Sequence, residues 1–413
     1  MMKHFTTMLA GILIAAATTS AGADTIINWN KTANDVLNAA RVAANPRART
    51  LSIMHVAMSD AVNSVQGRYE RVVATVPATP GASAEAAATA AARHVLLQLY
   101  PAQKSLIEEA YAASLKTIPD DAAKSDGIAL GEKVAGVVQS ERAADGTSVP
   151  DTYRPMTSPG VWIPTTPPAF EQYARATPWV QKSADQFRPG APPQLATALY
   201  TRDYNETKTY GGAKSAARTA EQTEAVKFWG NANLAPGWQA AARQLAAEKS
   251  LSLAENARLF ALLNMGVFNT FISDWDAKFT YNGWRPVTAI RNGDMDGNDA
   301  TERDSGWTSL NMTPMHPEYP SQATMSAGVA TGILEAVFGP KPTTGFTVTD
   351  IMDPKLTRPL TNISQMAEEH SNVRIWGGVH FRTSLEVGHD MGRKIAAHLV
   401  DNALKPVIPT ASR

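Results

Sequence analysis

Apolar residues recur three and four apart over residues 32–66, 83–117, 119–144 and 217–248, the spacing that turns one face of a helix into a core. Strand-type alternation of Val, Ile, Thr and aromatics is scarce, so the pattern predicts a mostly helical chain. The best-delimited helix opens at Ser252-Leu253-Ala254-Glu255, a capping box in which Glu255 reaches back to the helix start. Its apolar stripe runs Leu259, Leu262, Leu263, Val267, Phe271 and Trp275, and Lys278 falls at the next position of that stripe. A lysine there must meet an anion or a carboxylate; Asp274, one turn earlier, is the nearest candidate. Residues 148–194 hold ten prolines, which exclude a long helix and predict an ordered arm. The arm separates an N-terminal helical part (24–147) from a C-terminal helical core (195–405), with a tail at 406–413. Pro and Gly punctuate 291–320 and 339–360, and no repeat of fixed period is present.

Composition narrows the chemistry. Lys+Arg and Asp+Glu both count 38 in 413 residues, and the charged fraction is 18%, so a nucleic-acid binder working through a general basic surface is excluded and any anion site must be local. There is no cysteine, which removes disulfides, thiolate metal sites, iron–sulfur clusters and cysteine nucleophiles together. Lys3, the apolar run 8–17 and Ala21-Gly22-Ala23 form a signal-peptide pattern over residues 1–23, predicting a periplasmic or secreted protein. No later segment reaches the roughly 20 apolar residues a spanning helix needs, so no stable membrane insertion is expected after cleavage.

Three segments concentrate candidate chemistry. Arg285 follows Lys278 by seven positions in KFTYNGWRP, so two cations leave one helix end. In MHPEYPSQATMSAG, Pro320 ends what precedes it, and Ser321 stands as N-cap of an apolar run from Met325 to Phe338. The amides of Gln322, Ala323 and Thr324 are then free to face an anion. In SNVRIWGGVHFRTS, Arg374 and His380 frame Gly377-Gly378, and His380 sits near the next helix start. The remaining histidines, including His55 and His370, read as structural. Three like charges brought together repel, so removing one is expected to leave the empty fold as stable or more so.

These segments resemble the three signatures of the vanadium-dependent haloperoxidase and type 2 phosphatidic acid phosphatase superfamily, in particular its secreted bacterial haloperoxidase-like branch. INWN near residue 27, MHVAMSDAVNSV at 54–65, GVWIPTTPPAF at 160–170, DQFRPGAPP at 185–193 and SLAENARLFALLN at 252–264 are similar to that branch as well. The resemblance implies an all-α helical bundle, with an additional N-terminal helical part, that holds one vanadate, or phosphate as the alternative occupant. Carried over residue by residue, Lys278, Arg285 and Arg374 bind its oxygens, Ser321 and the Gln322 amide hydrogen-bond to it, and His380 is the axial vanadium ligand or, in the phosphatase branch, the nucleophile. Trp275 matches an aromatic position bordering the halide pocket.

Two positions depart from the family pattern. Pro-Ser-Gly-His reads here Pro320-Ser321-Gln322-Ala323, without the acid/base imidazole, and an Asp usual four residues after the axial His is Ser384. Loss of a general acid/base costs roughly 10²–10⁴ in rate unless another group such as His316 or Glu318 substitutes. The resemblance therefore implies a vanadate-dependent peroxidase using hydrogen peroxide and a halide or small organic substrate. The alternatives are a phosphomonoesterase with His380 as nucleophile, or a non-catalytic oxyanion binder. Nothing in the sequence decides the oligomeric state, a homodimer included.

Overall fold

A computed structural model describes residues 24–407 apart from 165–166, 231–233, 341–344, 352 and 354. The signal-peptide reading of residues 1–23 and the end of the tail, 408–413, lie outside the described residues. Thirteen α-helices are present among them: α1 (Thr25–Ala39), α2 (Ala44–Gln66), α3 (Ala84–Leu99), α4 (Lys104–Lys116), α5 (Ala122–Glu141), α6 (Ala198–Gly211), α7 (Ala220–Trp229), α8 (Leu234–Glu248), α9 (Leu253–Tyr281), α10 (Pro286–Arg291), α11 (Gln322–Phe338), α12 (Ile363–Trp376) and α13 (Arg382–Asn402). The single sheet is one antiparallel pair, β1 (Phe346–Thr349) and β2 (Thr357–Leu360), with Phe346 opposite Leu360.

The fold class follows the periodicity, but three predicted helices divide in two. The stretch 32–66 breaks around Arg41, whose φ is 52°. The stretch 83–117 breaks at Tyr100, held at φ −133° and ψ 59° because Pro101 excludes helical geometry before it. The stretch 217–248 ends its first helix at Gly230, with φ 41°. Side-chain spacing carries no warning of these breaks, since the apolar faces on both sides meet the same core.

The two helical parts share that core. One cluster of buried side chains runs without interruption from Ile26 in α1 to Leu404 beyond α13. Helix α9 passes through it, packing on α2 from the N-terminal part and on α11 and α13 from the C-terminal part. Its capping box forms as read: Glu255 accepts the Ser252 amide at 2.8 Å. The Pro-rich arm contains one short 3-10 helix, Glu171–Arg175, and lies on the bundles through backbone bonds, Trp162 N to Asn282 O at 2.8 Å and Trp284 N to Gly160 O at 2.9 Å.

Helices α11 and α13 approach closely because glycines face each other. A Cβ on Gly392 would lie 2.1 Å from the Met325 carbonyl oxygen, and one on Gly388 would lie 2.5 Å from that of Ser321. This contact sets the position of the α11 start relative to α13. Gly392→Ala is therefore expected to lower the unfolding free energy by about 1–3 kcal/mol, since neither backbone can yield without repacking. Gly136→Ala in α5, where the added methyl meets nothing within 4 Å, is expected to be neutral or to stabilise by about 0.5–1 kcal/mol. Urea denaturation of both variants measures the difference.

Candidate active site

Lys278 is fully buried in the last turn of α9, and Asn282 in the left-handed region ends that helix. The chain then turns through Gly283 and Trp284 to Arg285, which Pro286 fixes at the start of α10. Arg285 is 1% exposed, and four of its N–H groups have partners: Nε to the His316 carbonyl (2.9 Å), Nη1 to the Val379 carbonyl (2.7 Å) and His380 Nε2 (3.1 Å), and Nη2 to His316 Nδ1 (3.0 Å). The lysine Nζ bonds the carbonyls of Glu318 and Pro320 and stands 3.5 Å from Asp274, which is also fully buried.

Arg374 ends α12. The turn to His380 closes through Gly378 N to Ile375 O at 2.8 Å and Val379 N to Arg374 O at 3.1 Å. Gly378 has φ 73° and meets Gly211, at the end of α6, so closely that a Cβ would lie 2.4 Å from its carbonyl oxygen; only glycine fits both constraints. His380 is 1% exposed. Burial, and after it the charges of Arg285, Lys278 and Arg374, hold its imidazole well below the ordinary value, so it is neutral.

Hydrogen-bond roles fix its tautomer. A guanidinium only donates, so the His380 Nε2 facing Arg285 carries the lone pair and the proton sits on Nδ1. That proton goes to Glu318 Oε1 at 2.7 Å. Glu318 also accepts the Phe381 amide on Oε1 (3.0 Å) and the Ser384 hydroxyl on Oε2 (2.6 Å), and Ser384 in turn accepts the Ser321 amide through its carbonyl (3.0 Å). Burial pushes the Glu318 carboxyl up, opposed first by Arg285.

Ser321 occupies the N-cap position of α11, but its hydroxyl does not cap the helix. The Oγ is fully buried and makes no hydrogen bond within the protein. Gln322 opens the helix, and its side-chain amide turns away to Ser326 Oγ at 2.8 Å, leaving only its backbone for any anion. Ala323 is buried and presents a methyl where the family pattern carries an imidazole.

The fold has been seen in solved proteins. A crystal structure described as the first bacterial vanadium-dependent iodoperoxidase is 21% identical with a TM-score of 0.76, covering 93% of this chain and 98% of that one. The apo-type bacterial vanadium-dependent chloroperoxidase is 18% identical with a TM-score of 0.70, over 87% of this chain and 92% of that one. No curated protein matches. Residues 258–408 match the VCPO second helical-bundle domain, a segment that contains Lys278, Arg285, Ser321, Gln322, Arg374 and His380.

Residues 258–408 are thus similar to the VCPO second helical-bundle domain, and the chain as a whole has the fold of the bacterial vanadium-dependent haloperoxidases.

On this fold Arg285 contacts His380 directly, the charges of Lys278 and Arg374 also reach the imidazole, and Arg285 feels that of Arg374. Trp275 packs on His316 in a tilted arrangement, with ring centroids 4.8 Å apart. The two substitutes considered for the lost imidazole separate here. Glu318 already holds three donors, including the one that orients His380, which leaves it a positioning residue rather than a spare acid. His316 is half-buried, and its Nδ1 must accept from Arg285, so its proton sits on Nε2. Elsewhere, His55 takes an amide contact from Asn30 at 3.0 Å, and His370 packs between Trp229 and Trp238 with no hydrogen bond on either nitrogen.

The expectation that deleting a cation leaves stability unchanged is corrected for Lys278. Its partner Asp274 has no other hydrogen bond, and burial already raises its carboxyl to about 7. Lys278→Ala is expected to cost about 3–5 kcal/mol of unfolding free energy without any ligand, because an uncompensated buried acid remains. The double variant Lys278→Met with Asp274→Leu should recover most of it. The single variant's loss should deepen as pH rises from the ordinary carboxylate range through 7. A carboxyl whose folded-state value lies above its unfolded one stabilises the fold only while protonated. Urea titrations of both variants across that range measure this.

Proposed function

We propose that the chain is a vanadate-dependent haloperoxidase-like oxidoreductase that uses hydrogen peroxide to oxidise a halide or a small organic substrate. The observation that carries the reading is the Ser321 hydroxyl, buried and without a partner, on a residue whose amide is tied to Ser384 and which follows the Pro320 carbonyl held by the buried Lys278. A buried polar group left unpaired is costly, so this arrangement fits a ligand with several acceptor oxygens. Lys278, Arg285 and Arg374 suit the charge of an oxyanion, Ser321 and the Gln322 amide suit its oxygens, and the His380 Nε2 lone pair suits vanadium. Bound vanadate supplies a Lewis-acidic centre that polarises peroxide for attack by a halide.

The protein's own groups then have separate tasks. Glu318 holds the Nδ1 proton and so keeps the Nε2 lone pair of His380 turned inward. The Arg285 N–H that now meets Nε2 is available to an anion oxygen brought to the same point. His316, bonded to Arg285 and half-buried, is the group placed to carry a proton between the site and solvent in place of the absent imidazole. Its basicity is suppressed first by burial and then by Arg285, Lys278 and Arg374, and an oxyanion that neutralises those charges relieves the second part. The apolar segment at 8–17 supports export to the periplasm or beyond, and no helix among the described residues is long and apolar enough to cross a membrane.

Orthovanadate added to protein freed of metal and phosphate is expected to raise the melting temperature, by the equivalent of about 2.7 kcal/mol at a hundredfold excess over its Kd. Arg374→Ala should abolish that rise. The same loaded protein should oxidise iodide with peroxide and fail to hydrolyse an aryl phosphate. Hydrolysis inhibited by vanadate would instead assign phosphoryl transfer to His380, and a melting temperature indifferent to vanadate and phosphate would overturn the oxyanion site. Ala323→His should raise kcat about 10–100-fold and leave vanadate affinity within a few-fold, since a positioned acid acts mainly in the transition state.

A further inference from the structure

The Pro-rich arm has no part in the chemistry above, yet it builds one wall of a cavity of about 410 Å³. Segments 159–161 and 191–195 of the arm close over Tyr200, Trp284, Tyr319 and Phe381, which are 4%, 5%, 3% and 6% exposed. The wall is fastened rather than draped. Tyr319 Oη donates to the Gly190 carbonyl at 2.8 Å and Tyr281 Oη to that of Pro189 at 2.5 Å, besides the two backbone bonds flanking Gly283. This size is that of a small-molecule pocket.

Glu318 is among the residues that line the cavity, and His380, Arg285 and Lys278 are not. Asp203 supplies a second carboxylate, and no lysine, arginine or histidine is among the lining side chains. Arg202 meets Asp203 Oδ1 at 2.6 Å without lining the cavity, and Thr383 N donates to Oδ2 at 2.9 Å. An anion is thus disfavoured here by charge. The Trp284 indole N–H is directed at the Tyr200 hydroxyl, and both atoms are covered by protein rather than open to the cavity.

Aromatic side chains and two acidic residues, with no basic side chain in the lining, are the chemistry that recognises a positively charged nitrogen on an apolar body. We propose that this cavity binds a small organic ammonium ion, with its apolar part against the arm prolines and its ammonium towards Asp203 and Glu318.

The test uses the full chain and three probes of one shape: 2-phenylethylammonium, 2-phenylethanol and phenylacetate, titrated by calorimetry. The ammonium is expected to bind at least tenfold more tightly than the alcohol, and the carboxylate not at all. Leu195→Trp, which fills the cavity from the end of the arm, and Asp203→Asn, which keeps an acceptor for the Thr383 amide while removing the charge, should each weaken the ammonium at least tenfold in protein that circular dichroism shows to be folded. Equal binding of alcohol and ammonium, or preference for the carboxylate, overturns the ligand class. Full affinity in both variants overturns the location. None of these readings depends on vanadate or on turnover, so the result stands apart from that of the peroxidase assay.

Discussion

Three positive charges, those of Lys278, Arg285 and Arg374, are taken out of water within one helical core, and the surrounding structure is arranged around the cost of doing so. Each is met by fixed acceptors before any ligand is present. Lys278 bonds two backbone carbonyls beside Asp274, and Arg285 bonds two more carbonyls and two imidazole nitrogens. Helix α9 supplies the rigid spine that carries the lysine to this depth, and it does so because both helical parts of the molecule pack on it.

Burial, reinforced by those cations, also decides the state of the histidine. A neutral imidazole is the only form compatible with three neighbouring positive charges in a dry core, and a donor-only guanidinium on Nε2 leaves only one place for the proton. Glu318 completes the chain from Arg285 through His380, and Ser384 ties that carboxylate to the backbone of Ser321. The close approach of α11 and α13 through glycine is what permits this last link. The departure from the family pattern at Ser384 is thereby explained: a hydroxyl there satisfies Glu318 in a space where a second buried acid would repel it.

Much of the site was legible in the chain. Lys278 stood out because it interrupts an apolar stripe, Ser321 because proline precedes it at a helix start, and Arg374 and His380 because two glycines separate them. These are short-range signals. Glu318 was visible as a charged residue near the second segment, but its task was not. It depends on His380, 62 positions later, and on Ser384, 66 positions later. Ser321 takes the N-cap position as its place after Pro320 implies, and only the packed structure shows that its hydroxyl makes no capping bond.

The sequence by itself determined the all-helical class, the place of α9, α11 and α13, the identity of the buried cations and the presence of a proline-rich arm, because helical periodicity, caps and chain breaks are written within a few residues of one another. The tertiary structure alone decided which nitrogen of His380 carries the proton, that Glu318 orients rather than donates, and that the arm closes a second cavity behind the site. Each of those depends on which groups meet when segments distant in the chain pack together. In a core without water, the partner a polar atom finds there settles its role.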